Sequence, residues 1–210
     1  MAGDCHACTL AAMVETLQFA PLPSNDPLHR ALAKIGELYT ATNFMTWWDA
    51  RAFAVHGPSS DVFDPSDRLH EKCLASFVED HVLPTYRSTE QTFSDHVARV
   101  GRVDWAQVRE GLLDALKHHP TAGGTRPGTA AGQFSPHAFM LLDIVEDQVA
   151  VALGIPSGRE LADAPTDLLR CARLRPKEGS AFRGSMYQHL FMAYAPATRR
   201  LLWFDLGGAA

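Results

Sequence analysis

Tyr187-Gln188-His189-Leu190-Phe191-Met192-Ala193-Tyr194, a break at Ala195-Pro196-Ala197-Thr198, then Arg199-Arg200-Leu201-Leu202-Trp203-Phe204-Asp205-Leu206: this stretch decides the fold. Both runs are rich in aromatic and aliphatic residues, and a small Pro-containing turn divides them. That pattern predicts two strands, over Met186–Tyr194 and Arg199–Leu206, closed into an antiparallel hairpin. With the turn at 195–198, position 189 is expected opposite roughly 204. Asp205 would then lie one residue away, within side-chain reach of His189.

Upstream, His137 to Val145 and Gln148 to Leu153 read as two more strands around Glu146-Asp147, and Ala164 to Cys171 as a short helix. Before them, Pro120 to Pro136 holds Gly, Pro, Thr and Ala, with Phe134 its only large apolar residue. Such composition predicts a loop, linker or lid. The first 119 residues read as mostly helical. Leu10, Met13, Val14 and Leu17 share one helical face, and Pro21 to Asn25 breaks it. Asp26-Pro27 and Asp64-Pro65 open helices with an Asp cap and a Pro in the first turn. Phe44 to His56 reads as a third helix. Asp104-Trp105-Ala106-Gln107 has the capping-box pattern, and so does Ser88-Thr89-Glu90-Gln91. Helices first and an antiparallel sheet last predict an α+β fold. The expected layout is one domain over 1–210, with a helical insertion at about 26–119 and the loop at 120–136.

Hydrophobic residues make up 46% of the 210, and charged residues 20%, enough for a full core. The net charge is −5, and no run of Lys and Arg stands out, which argues against nucleic acid or an anionic membrane as partner. No apolar run approaches the ~18–20 residues of a membrane span. No basic region followed by an apolar one marks an export signal at the start, so the compartment stays open.

Cys5 follows Asp4, a good N-cap, and so falls at the first helical position, where the helix dipole favours a thiolate. The same backbone N–H groups can hold an oxyanion. Cys5 and Cys8 form one C-x-x-C, and with no second such pair a four-ligand zinc site is not expected. A thiolate nucleophile needs a base, and the base needs a group to fix its tautomer. The last hairpin offers His189 and Asp205 for these roles.

Cys5-His6-Ala7-Cys8-Thr9-Leu10-Ala11-Ala12-Met13-Val14, His189-Leu190-Phe191-Met192 and Phe204-Asp205 resemble, in order and wording, the papain-like cysteine peptidases. The leader peptidase domains of bacteriocin exporters are the nearest in wording, and papain-like toxins and effectors share the order. The resemblance implies a papain-like fold and a thiol protease or deamidase acting on a peptide bond or side-chain amide of a protein or peptide substrate. It makes Cys5 the nucleophile, His189 the base and Asp205 the orienting residue, with no cofactor. The cysteine spacing is one residue shorter than in the leader peptidases. No Gln stands in Met1 to Asp4 to serve the oxyanion.

Three alternatives compete with that reading. His137, followed by Asp143 and Asp147, is an alternative base. His70, Cys73 and His81 recur near one face of the helix after Pro65 and make an alternative metal set, in a helical bundle holding iron or zinc. Trp47, Trp48 and Phe53 could instead face a protein partner, in an interaction module without thiol chemistry.

Overall fold

The computed structural model describes residues 17–30, 32–33, 46–86, 92–117, 136–155, 157–165, 167–180, 182 and 187–208. The closing hairpin forms as read. Strands β5 (Tyr187–Ala195) and β6 (Arg200–Gly208) pair antiparallel, and Arg199 at φ 52° completes the turn between them. Four earlier strands join them: β1 (Gln18–Pro21), β2 (Thr46–His56), β3 (Val97–Val103) and β4 (Arg170–Pro176). The sheet runs β1-β2-β6-β5-β4-β3, antiparallel at every pairing.

Helices cover both faces. They are α1 (Glu71–Phe77), the one-turn α2 (Phe93–His96), α3 (Trp105–Lys117), α4 (Pro136–Leu153) and α5 (Gly158–Ala162). On one face Val108, Leu112, Val149 and Leu161 meet Phe191, Ala193, Leu202 and Phe204. On the other, Phe63, Leu74, Phe77 and Val82 meet Phe53, Val55, Met192 and Trp203. Because β5 and β6 are central, residues 201–206 are buried on both faces, and a buried large apolar side chain contributes ~1.5–3 kcal/mol. The architecture is therefore α+β, three layers deep, with helices on each side of an antiparallel sheet.

Several local expectations change. Thr46–His56 is strand β2 rather than a helix: Ala50, Ala52 and Ala54 alternate with Arg51, Phe53 and Val55, and pairing to β6 and β1 favours the extended form. The stretch 26–119, expected to be helical, thus supplies β2 and β3. The hairpin expected at 137–153 is helix α4. Short apolar runs such as the two flanking Glu146-Asp147-Gln148 suit either strands or a helix, and here eighteen residues without an interior Gly or Pro go helical. Pro136 stands at its start, where a missing N–H is harmless. The short helix expected at Ala164–Cys171 does not form: the helix α5 ends at Ala162, the described residues of 164–169 make turns, and β4 begins at Arg170.

Other local signals hold. Asp104 and Gln107 make the reciprocal capping box: the Gln107 N–H donates to Asp104 Oδ1 at 2.8 Å, and the Asp104 N–H to Gln107 Oε1 at 3.1 Å. Leu28 N–H donates to Asp26 Oδ1 at 2.9 Å. Cys5, Cys8, the 120–135 loop and the capping box at 88–91 lie outside the described residues.

Candidate active site

The register assigns each side chain of the sheet to a face. His189 pairs with Leu206, and Leu190 pairs with Asp205. Directly opposite residues of an antiparallel pair share a face, and neighbours along a strand alternate. His189 and Asp205 therefore lie on opposite faces of the sheet. The expected register was off by two residues along β6, with 206 rather than 204 facing 189, but that shift preserves the face. Parity is what separates the two: 189 and 205 alternate out of step whichever even-numbered residue faces 189, so the His189–Asp205 arm of the expected triad is not made.

His189 instead meets Asp114 of α3, with Nε2 2.9 Å from Asp114 Oδ2. Gly111 makes this possible. A Cβ there would lie 2.4 Å from Cε2 of Phe191 and 3.3 Å from Cγ of His189, so only Gly lets α3 sit this close to the sheet. Asp114, three residues on, shares that helical face and reaches the imidazole. The rings of His189 and Phe191 stack, 5.9 Å apart and 5° from parallel. The guanidinium of Arg173 lies 5.7 Å from the centre of Phe191. Together with Gln107 and Glu110 these residues line a groove of about 520 Å³. A carboxylate can only accept, so Nε2 carries the proton in the neutral ring and the lone pair stands at Nδ1. Nδ1 is buried and has no hydrogen-bond partner among the described residues.

Asp205 belongs to a polar cluster on the other face. It is 1% exposed and pairs in register with Asp49 of β2. Tyr86 donates its hydroxyl to Asp205 Oδ2, and Gln188 donates to Oδ1 at 3.2 Å. Arg51 sits 2.8 Å from Asp49 and donates to the His81 carbonyl at 2.8 Å. Burial, with the Asp205 charge added, raises Asp49 above the usual carboxylate value despite Arg51. Burial and then the same Asp205 charge push the Tyr86 hydroxyl far up, so Tyr86 remains a donor. This cluster holds strands together around a carboxylate pair.

The remaining candidates separate. His137 falls in the first turn of α4, not on a strand. Asp143 pairs with Arg109 at 3.7 Å, and Asp147 Oδ1 accepts from Gly158 N–H at 3.0 Å. His70 Nδ1 accepts from the Asp64 N–H at 3.3 Å, and its ring lies against Phe63. Cys73 is buried, and burial raises its thiol. The His81 ring packs against Phe53 and Phe77. Among the described residues no group of three or more His, Cys, Asp or Glu side chains could hold a metal ion, so these three do not assemble one. Phe53 is 2% exposed and belongs to the core, so it is not presented to a partner. Trp47 and Trp48 take strand positions opposite Gly207 and Leu206. No described helix is long and apolar enough to cross a membrane.

Asp114 is the site residue missed in the sequence. A signal was present: Gly111 inside a strongly patterned helix, a placement that costs ~1 kcal/mol against Ala and so marks a close approach.

Fold and site together define a three-layer α+β protein with an Asp-fixed histidine in a groove between helix and sheet. Neither a protein family nor a curated protein matches the sequence. Among solved structures, the crystal structure of citrus MAF1 is similar, with a TM-score of 0.50 at 10% identity, over 85% of this chain and 99% of that one. At that identity the likeness is one of fold alone.

Proposed function

We propose that the protein is a hydrolase of peptide or side-chain amides in which His189, fixed by Asp114, is the general base and Cys5 supplies the nucleophile. The papain-like order of Cys before His is kept in this reading. The orienting carboxylate comes from a helix instead of the next strand. What carries the proposal is the His189 imidazole, held at Nε2 by Asp114, with a covered Nδ1 that has no hydrogen-bond partner among the described residues. An orphaned buried acceptor costs ~1–3 kcal/mol, and a thiol proton is one group that would satisfy it. In the reaction, Nδ1 takes the thiol proton as sulfur attacks the amide carbon. The imidazolium then returns that proton to the departing nitrogen, and water hydrolyses the thioester.

Alkylation by iodoacetamide near pH ~6, mapped by peptide mass, tests this directly. Cys171 and Cys73 are internal references: burial pushes the Cys171 thiol up to about 12 and raises that of Cys73. Cys5 is expected to react far faster than either, and His189→Asn is expected to slow it roughly tenfold. Equal rates at all three, or a Cys5 rate indifferent to His189→Asn, removes the thiol from the account.

A further inference from the structure

The two strands farthest from β1 carry an unusual charge pattern for a chain of net charge −5. Strands β3 (Val97–Val103) and β4 (Arg170–Pro176) together hold five arginines and no Asp or Glu. Two of the five are engaged. Arg102 pairs with Asp64 at 2.5 Å, and Arg170 donates to the carbonyls of Asp61 and Phe63 at 3.0 and 2.6 Å.

The other three share a face. Arg99 and Arg175 are directly opposite each other, and Arg173 is opposite Gly101. Like charges in directly opposed positions are destabilising by a few tenths to ~1 kcal/mol. Both Arg99 and Arg175 are exposed, and neither is in an ion pair with a carboxylate among the described residues, while Arg99 also lines a hollow shared with Asp67, Arg68 and Glu71. A Cβ on Gly101 would touch nothing within 4 Å, so the strand surface next to Arg99 and opposite Arg173 is open. Leu174 and Leu190 are the last paired residues of β4 and β5, which puts Arg175 beside His189 in the next cross-strand position. From α3, Glu110 and Asp114 face the groove at its Arg173 end. Asp114 is bound to His189, and Glu110 shares the groove lining with Arg173. At the other end Arg99, Arg175 and Arg68 outnumber Asp67 and Glu71, which leaves it net positive.

We infer that Arg99 and Arg175, with Arg173 behind them, form a binding site for the dianionic phosphate of a small phosphomonoester. Guanidinium forks bind such oxyanions in bidentate fashion, and two opposed forks match a group with three acceptor oxygens and two charges. A carboxylate, with two oxygens and one charge, is satisfied by one fork. The site lies on the same face as His189, so a phosphate held there leaves the rest of the molecule room to run along the groove. Binding there is independent of any thiol chemistry.

The test is direct binding of inorganic phosphate and of phenyl phosphate, followed by amide chemical shifts of β3 and β4, with acetate at matched ionic strength as control. Saturable shifts at Arg99, Gly101 and Arg175 are expected with both phosphates and not with acetate. Arg175→Gln is expected to weaken binding roughly tenfold or more. Arg99→Glu is expected to abolish it while making the fold more resistant to urea, because it converts a repelling pair into an attracting one. Arg102→Gln, whose parent side chain is committed to Asp64, is expected to leave phosphate affinity unchanged. Equal responses to acetate, affinity untouched by Arg175→Gln, or a less stable Arg99→Glu overturns the assignment. So does saturation only by polymeric anions such as nucleic acid or polyglutamate.

Discussion

Replacing Gly111 by Ala tests the packing that creates the groove. The added methyl would stand 2.4 Å from Cε2 and 2.6 Å from Cζ of Phe191. Ordinary carbon contacts are ~3.5–4.0 Å, so α3 and the ring must part by more than ~1 Å. Phe191 cannot easily yield, being 1% exposed and stacked on His189. If the helix moves instead, the 2.9 Å contact between Asp114 and His189 stretches beyond hydrogen-bonding range. Overpacking of this kind costs ~1–3 kcal/mol and the lost bond about 1 more, while the better helix propensity of Ala returns about 1. The expected net loss is ~1–3 kcal/mol by urea denaturation. Gly101→Ala, at a site with nothing within 4 Å, is the control and is expected to change stability by less than ~0.5 kcal/mol. A Gly111→Ala protein as stable as the parent, or more so, would refute the reasoning, since helix propensity alone dictates that outcome.

Two further predictions concern carboxylates elsewhere in the fold, one half-buried and one buried. Burial, with the opposing Asp205, raises Asp49, so the folded state binds its proton more tightly than the unfolded chain. Folding is then disfavoured progressively as pH rises through that raised value. Asp49→Asn is expected to stabilise the protein at neutral pH, with the gain shrinking through pH ~4 and vanishing below pH ~3, where both states of the parent are protonated. Urea midpoints across pH check this, and a gain that persists in acid contradicts it. Glu146 is 5% exposed and accepts from Trp105 Nε1 at 2.8 Å and Arg109 Nε at 3.1 Å. Glu146→Ala leaves the buried indole N–H without its partner and is expected to lose ~1–3 kcal/mol, seen in the same assay and in altered Trp105 fluorescence.

The parts of the fold that could be read from the sequence are those with local causes. The 195–198 turn, the Asp104/Gln107 box and the Asp26 cap are fixed by residues within four positions of one another, and all three form as written. The parts misread depend on distant partners. Thr46–His56 becomes a strand because β6 and β1 flank it, and Pro136–Leu153 is misread because its two short apolar runs on either side of Glu146-Asp147 suit a strand pair as well as one helix. The site divides along the same line. His189 is legible as a candidate because it lies on the closing hairpin, the element the sequence marks most clearly. Its partner came from α3, 75 residues earlier, where only the interior Gly111 hinted at contact. Asp205 falls on the other face through parity, since residues 189 and 205 alternate out of step across the hairpin. The arginine pair was invisible for a related reason: Arg99 and Arg175 are far apart in the chain and meet only in the register.

The measurement closest to the centre of the account is the tautomer of the His189 imidazole, read from its ring nitrogen chemical shifts. In the parent protein the neutral ring is expected to be protonated at Nε2. Asp114→Ala is expected to disturb that state, and Asp205→Asn, on the far side of the sheet, to leave it unchanged. A ring that ignores Asp114→Ala but responds to Asp205→Asn contradicts the assignment.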